Sequence, residues 1–437
     1  MHQERYSLLT ALCMIIGICI GSGIYFRADN VLVATGGSVG LGVAMFCIAS
    51  IVIVFGGLAL SVYASRSVGA GGVLAYADAY LPGPLARIFS WNYAILYLPG
   101  ITAVLCWVVG IYFCMVFGLP ADFSLQMGIG IAYLALCAAW NVLAPRAAGW
   151  FQNATTVIKI LPLVAVGAAG LAFGAASPGA ASAATTTAAA PVGLTWLLAA
   201  APIAFSFDGW SISATIAPEL RNARRNLPVA LTAAPLAILA LYLVYFVGIS
   251  TVLGPARVME AGDASLGEFF AQLFGPGAST LPNVIALVSV MGTVNGVVLS
   301  AMRMPYALAQ TGDVPFSERL ARVNPRVGFP VASACAGVAL SLFWMAVHAA
   351  VTGLGLIPNG DISEVAVSFN MLLTAVLLGR VLGLEVGDAG ILRARVAPAI
   401  AVVGCVFVAS SGLMELSRWA IVALYVALLL GLTMWRR

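Results

Sequence analysis

Charge is what this sequence has least of. Asp, Glu, Lys and Arg make up 8% of its 437 residues, against about a quarter in soluble domains. So few charges cannot clothe a surface that faces water. Lysine occurs once, at Lys159, and histidine twice, at His2 and His348. The two histidines stand far apart, with no Glu or Cys at matching spacing, so neither a nucleophile–base pair nor a metal centre is expected. The eight cysteines (Cys13, Cys19, Cys47, Cys106, Cys114, Cys137, Cys335 and Cys405) all lie in apolar stretches and form no C-x-x-C pair. Redox chemistry is therefore not expected, nor is any cofactor. A continuous polar stripe is missing too, which argues against an ion channel.

What is present is apolar. Hydrophobic residues reach 62% and the mean hydropathy is +1.05. Charge-free runs cover 88–121, 160–207, 269–302, 327–360 and 419–435. A spanning helix needs roughly 20 apolar residues, so some runs hold one span and others two. The pattern predicts an all-α membrane protein with twelve transmembrane helices, near 8–34, 40–64, 88–117, 124–144, 149–174, 193–218, 228–253, 281–309, 330–352, 362–382, 396–413 and 419–435. The first apolar stretch starts at Tyr6 and passes Gly21 without a small-residue cleavage site, as expected of a retained span rather than a signal peptide. With the N-terminus in the cytoplasm, fifteen of the 20 basic residues fall on the inner side. The outer loops keep Arg257 and Arg418, with Arg27 close to the outer end of span 1. This asymmetry is the positive-inside pattern and predicts cytoplasmic termini. His348 is expected at the membrane interface near the outer end of span 9. An Ala/Thr-rich outer loop is expected over 175–192, and a short outer helix, re-entrant or on the surface, within 254–280. The stretch 313–328 is the most polar of the chain and is placed in the cytoplasm.

Two spans carry signs of interruption. Span 1 reads Gly17-Ile18-Cys19-Ile20-Gly21-Ser22-Gly23-Ile24-Tyr25, and each glycine costs about 1 kcal/mol in a helix interior relative to alanine. Gly17 and Gly21 also suit a close-packing seam between helices. Span 6 reads Phe205-Ser206-Phe207-Asp208-Gly209-Trp210. An aspartate at bilayer centre costs about 2.5–3.5 kcal/mol on insertion scales, so it must face protein, water or ligand, if it does not merely cap a kink. Two broken spans five steps apart point to the binding site of an inverted-repeat transporter. Each break exposes amides at one end and carbonyls at the other. The amides around Ser22, Gly23 and Ile24 suit a carboxylate. The carbonyls of Ile18, Cys19 and Ile20, with those of Phe205 and Ser206, suit an ammonium. An α-amino acid carries both groups.

Lys159 falls near the middle of span 5, too deep to snorkel easily to the inner surface. Its ammonium is expected to rest on carbonyls of the broken span 1, where a coupling sodium ion would otherwise sit. Ser289 and Thr293 stand i, i+4 on span 8 and share a face, which offers it hydroxyls, although such hydroxyls often bond back to their own helix.

These motifs resemble the amino acid–polyamine–organocation superfamily, and within it the L-type transporter branch. Gly21-Ser22-Gly23-Ile24-Tyr25 is similar to that branch's G-S-G-I-F, and Phe205 to Trp210 to its F-x-Y-x-G-W. The segment from Pro218 to Pro228 resembles its E-E-x-x-N-P-x-R-x-x-P. Gly292-Thr293-Val294-Asn295-Gly296, with Arg303-Met304-Pro305-Tyr306-Ala307, is similar to its span 8. The resemblance implies a 5+5 inverted repeat with discontinuous helices 1 and 6, divided as 1–174, 175–382 and a two-span addition at 383–437. It implies sodium-independent amino acid transport, commonly exchange, with Phe205 as the aromatic gate and Lys159 as the span-5 lysine. Departures are Val297 in place of Trp, Ser61 to Ser65 in place of Y-A-E-L-G, and Pro218 in place of the first Glu. The outer loop 118–123 has no Cys, so no disulfide-linked heavy subunit is expected, and a stand-alone prokaryotic protein of the inner membrane is. The expected cargo is a neutral L-amino acid, with Asp208 and Lys159 offsetting each other inside one site. The alternatives are a proton-coupled symporter or a carrier of cationic substrates greeted by Asp208.

Overall fold

In hydrocarbon no water can bond the backbone, so a chain this apolar must satisfy its amides and carbonyls within helices. The computed structural model describes residues 6–67, 71–173, 194–197, 199–310, 314, 316–356, 362–413 and 419–434. Among them there is no strand. Ten helices are long and apolar enough to cross a bilayer: α1 Leu8–Phe26, α2 Val39–Arg66, α3 Gly83–Phe117, α4 Phe123–Leu143, α5 Pro145–Phe173, α7 Ala223–Leu253, α8 Pro276–Ala309, α9 Val331–Gly353, α10 Ile362–Gly383 and α11 Leu392–Ser410. Between α5 and α7 runs a broken element, α6, formed by Ala200–Ala204, Phe205–Phe207 and Ile212–Glu219. The last helix, α12, is Trp419–Met434 and is shorter, with 16 residues. The expected loop at 175–192 lies outside the described residues, as does Asp313.

Helix starts follow local chemistry. Ser7, Ser38 and Asp122 each accept a hydrogen bond from the amide three residues on, satisfying donors that a first turn leaves free. Close approach explains one glycine seam. A Cβ on Gly57 of α2 would run into the carbonyl of Leu231 on α7, and such small residues let membrane helices meet backbone to backbone. Between α7 and α8 lie two short helices, Pro255–Ala261 and Ser265–Phe274, where one was expected. Arg257 joins them through Glu260 at 2.8 Å and Glu268 at 2.7 Å. Both carboxylates hold its guanidinium more firmly protonated than usual.

The first span differs from its expected extent of 8–34. The helix stops at Cys19, resumes as a single 3-10 turn over Gly23–Phe26, and bends at Arg27 into a separate helix, Ala28–Ala34. Its longer first part, Leu8–Cys19, packs against α5, α7, α8 and the second half of α6. At the end where α1 begins, the Arg221 amide donates to the Tyr6 carbonyl at 3.0 Å. That bond ties the start of α1 to the end of α6.

His348 is placed differently from expectation. It is buried at 1% exposure, with its ring 4.8 Å from Trp107 and 6.2 Å from Phe123. It stands near the end of α9 as expected, but its face is turned toward the aromatic rings of α3 and α4 rather than to the outside of the bundle.

Candidate functional site

Both expected interruptions are present. In α1 the ladder opens after Cys19: the Ile20 amide still reaches Ile16 at 2.8 Å, while the Gly21 amide turns back to Cys19 at 2.9 Å. The next three amides, of Ser22, Gly23 and Ile24, meet no acceptor among the described residues. In α6 the break is at Asp208, extended with ψ 162°, followed by Gly209 at φ +91°. That left-handed conformation is the position where glycine is required, and a Cβ there would also sit 2.6 Å from Ile18 Cγ2. Gly21 and Gly23 have no positive φ. A Cβ on Gly23 would stop at ordinary contact, 3.8 Å from Ser206 Oγ.

The two breaks enclose a cavity of about 210 Å³. Ile18, Cys19, Gly21, Ser22, Gly23, Ile24, Phe205, Ser206, Asp208, Gly209 and Thr293 line it; Ile20, Phe207, Ser289 and Lys159 do not. Ile20 is fully buried, with its carbonyl accepting from Ser289 Oγ at 3.2 Å. Phe207 packs on Tyr242, centroids 4.8 Å apart. Of the carbonyls expected to serve an ammonium, that of Ile18 meets no donor among the described residues. Those of Phe205 and Ser206 already accept, from the Asp208 amide at 3.1 Å and the Tyr242 hydroxyl at 2.8 Å.

Lys159 is the fifteenth residue of α5 counting from Pro145, in a helix of 29, and is fully buried. Its Nζ donates to the Gly17 carbonyl at 2.7 Å, the Ser289 carbonyl at 3.0 Å and Thr293 Oγ1 at 3.3 Å. Ser289 thus serves the ammonium through its backbone, because its hydroxyl is turned to Ile20. The lysine backbone is held as well: its carbonyl accepts from the Tyr25 hydroxyl at 2.6 Å. Among the described residues no ion pair joins Lys159 to Asp208. The two charges make no direct contact, and a carbonyl of α1 receives the ammonium, as expected.

Asp208 has a partner that the sequence did not announce. Tyr97 of α3 donates its hydroxyl to Oδ2 at 2.8 Å. Tyr97 closes a π-helical stretch, Asn92–Tyr97, ahead of Pro99, and such wide turns often mark functional positions. Tyr242 of α7 was also missed; its hydroxyl lies 2.8 Å from the Ser206 carbonyl and 3.3 Å from that of Cys19, bridging the two breaks. A third unexpected member is Arg27, which lines the cavity. Beside the site, Asn295 links α4, α5 and α8, accepting from Trp140 Nε1 at 2.7 Å and Asn141 at 2.9 Å and donating to Gln152 at 3.0 Å.

Apolar helices packed around a cavity of unpaired backbone groups define an integral membrane carrier. The family model for amino acid permeases matches residues 6–436, and the chain belongs to that family, within the amino acid–polyamine–organocation superfamily. It is 27% identical over 343 residues to the serine/threonine exchanger SteT of Bacillus subtilis (strain 168), covering 78% of this chain and 76% of that protein. It is 26% identical over 318 residues to the b(0,+)-type amino acid transporter 1 of Mus musculus. That match covers 71% of this chain and 63% of the mouse protein. The human protein of the same name is 25% identical over 322 residues, with 71% and 63% covered. Family and relatives are transporters rather than enzymes.

Proposed function

We propose that this chain is a sodium-independent exchanger of neutral L-amino acids, working by alternating access as a stand-alone protein of a prokaryotic inner membrane. Three unpartnered amides, of Ser22, Gly23 and Ile24, carry this reading, because they line a cavity and await an anion. The carboxylate seats on them, the ammonium turns to the Ile18 carbonyl, and the side chain fills the remaining space. At about 210 Å³ that space is below the roughly 300–1,000 Å³ typical of drug-sized ligands, which favours a small side chain. Two relatives named as an exchanger and an amino acid transporter support the same class.

The reading includes twelve spans, cytoplasmic termini and a 5+5 inverted repeat. Its support is that elements five apart pair: α1 packs on α6, α2 on α7, α3 on α8 and α4 on α9. The test is amino acid counterflow in sodium-free liposomes, over a panel of substrates. Uptake should be fast into loaded liposomes and slow into empty ones. A sodium requirement, or equal uptake into both, overturns the proposal.

Phe205 lines the cavity half-buried and acts as the gate that excludes water over the bound substrate. Phe205→Ala should raise uptake into empty liposomes relative to exchange, making transport leaky. An unchanged KM and rate would reduce Phe205 to packing.

A second reading has one observation of its own: the Asp208 carboxylate lines the cavity and is held by a neutral hydroxyl, not by a cation. It could then receive a cationic side chain. On this reading Asp208→Asn weakens competition by arginine and ornithine about tenfold or more, the equivalent of about 1.4 kcal/mol, and spares alanine and leucine. Equal losses for both groups would assign Asp208 to holding the break.

A further inference from the structure

We propose that Arg27 forms a second carboxylate site, a loading collar at the outer mouth of the cavity. It receives the α-carboxylate of an incoming amino acid before that group seats on the amides of Ser22, Gly23 and Ile24. The inference rests on the transport reading and on the orientation given above.

Arg27 and Asp208 are the two charged residues that line the cavity. Arg27 is partly buried and lies just past the 3-10 turn Gly23–Phe26. At about 2.0 Å rise per residue, four residues place it some 8 Å along the axis from Gly23, toward the outer side. Its guanidinium makes no ion pair and no hydrogen bond among the described residues. Asp29, two residues on, is near enough to act on it electrostatically but forms no ion pair with it, and Asp263 forms none either. Arg257 on the same side shows the contrast, since two glutamates clasp it. A partly buried guanidinium that makes no hydrogen bond and no ion pair is costly, and in membrane proteins such a charge marks a ligand path. Its fork of donors matches a carboxylate in two-point geometry.

A collar above the seat works on encounter. It concentrates the anionic end of the zwitterion at the mouth and hands it down one turn to the amides, with Asp208 favouring the opposite end of the same molecule. Such steering is weakened by salt and serves loading from one side alone. The seat itself serves both faces.

The experiment measures external and internal KM for L-alanine in liposomes of defined protein orientation, for wild type, Arg27→Gln and Arg27→Lys, at low and high ionic strength. For Arg27→Gln the external KM should rise about tenfold at low salt, and internal KM should stay within about twofold. That gap should narrow to about threefold or less near 1 M salt, where the Debye length is about 3 Å. Arg27→Lys should recover most of the loss. An equal rise on both faces, a rise insensitive to salt, or no rise at all overturns the collar and leaves the transport reading intact. A wild type that exchanges no amino acid overturns the transport reading itself.

Discussion

Lys159→Ala should lose at least about 100-fold in exchange rate while still inserting into the membrane. The ammonium serves the Gly17 and Ser289 carbonyls and the Thr293 hydroxyl at once. Hydrogen bonds to charged groups are worth about 1.5–3 kcal/mol each, and acceptors left unmet in a dry interior add a penalty. Two lost carbonyl bonds therefore amount to roughly 3–6 kcal/mol, or 100-fold and more at about 1.4 kcal/mol per tenfold. The damage is local to the break in α1, because Gly17 is the last turn before the ladder opens. Insertion should survive, since alanine removes a charge that the bilayer disfavours. No other lysine exists to compensate. Sodium-free exchange at the wild-type rate in this variant would take the lysine out of the mechanism.

Gly23→Val is expected to have an effect of similar size for a different reason. The first added carbon fits, at 3.8 Å from Ser206 Oγ, so the fold should tolerate it. The two branches beyond it enter the cavity and cover the amides of Gly23 and its neighbours. Losing two charge-assisted bonds to a carboxylate costs about 3 kcal/mol or more, which predicts a loss of binding of about 100-fold. Gly23→Ala should fall between wild type and valine. A well-inserted Gly23→Val protein that binds and exchanges L-alanine normally would show that the carboxylate seats elsewhere.

The features legible in the sequence are those with a large local cost. A glycine pair in an apolar helix, an aspartate at mid-depth and a solitary buried lysine each violate the rule of their surroundings, and each marks a real feature of the fold: the breaks in α1 and α6 and the ammonium on Gly17. That Lys159 lies outside the cavity that Asp208 lines was not legible. Distance between two helices depends on packing, not on either helix's composition. Tyr97 and Tyr242 escaped notice because a tyrosine in a membrane span reads as an apolar filler, and only the folded chain aims its hydroxyl at a carboxylate or carbonyl. Arg27 was read only as a charge close to the outer end of span 1 for the same reason, since hydropathy gives depth but not the direction of a side chain. The glycines marked both breaks, but only Gly209 has the left-handed backbone that requires glycine, while Gly21 and Gly23 have no positive φ.

Lys159 is a cation that cannot leave. A dissociable ion visits its site from one side and departs on the other, and a gradient performs work through that passage. An ammonium fixed by covalent bonds to α5 has the same occupancy whatever the salt on either face. On the exchanger reading it supports α1 through the cycle in place of a sodium ion, so no sodium gradient drives transport. On that reading, accumulation of one amino acid would be driven by the downhill exit of another. The protein would set the proportions of the amino acid pools it touches and leave their total unchanged.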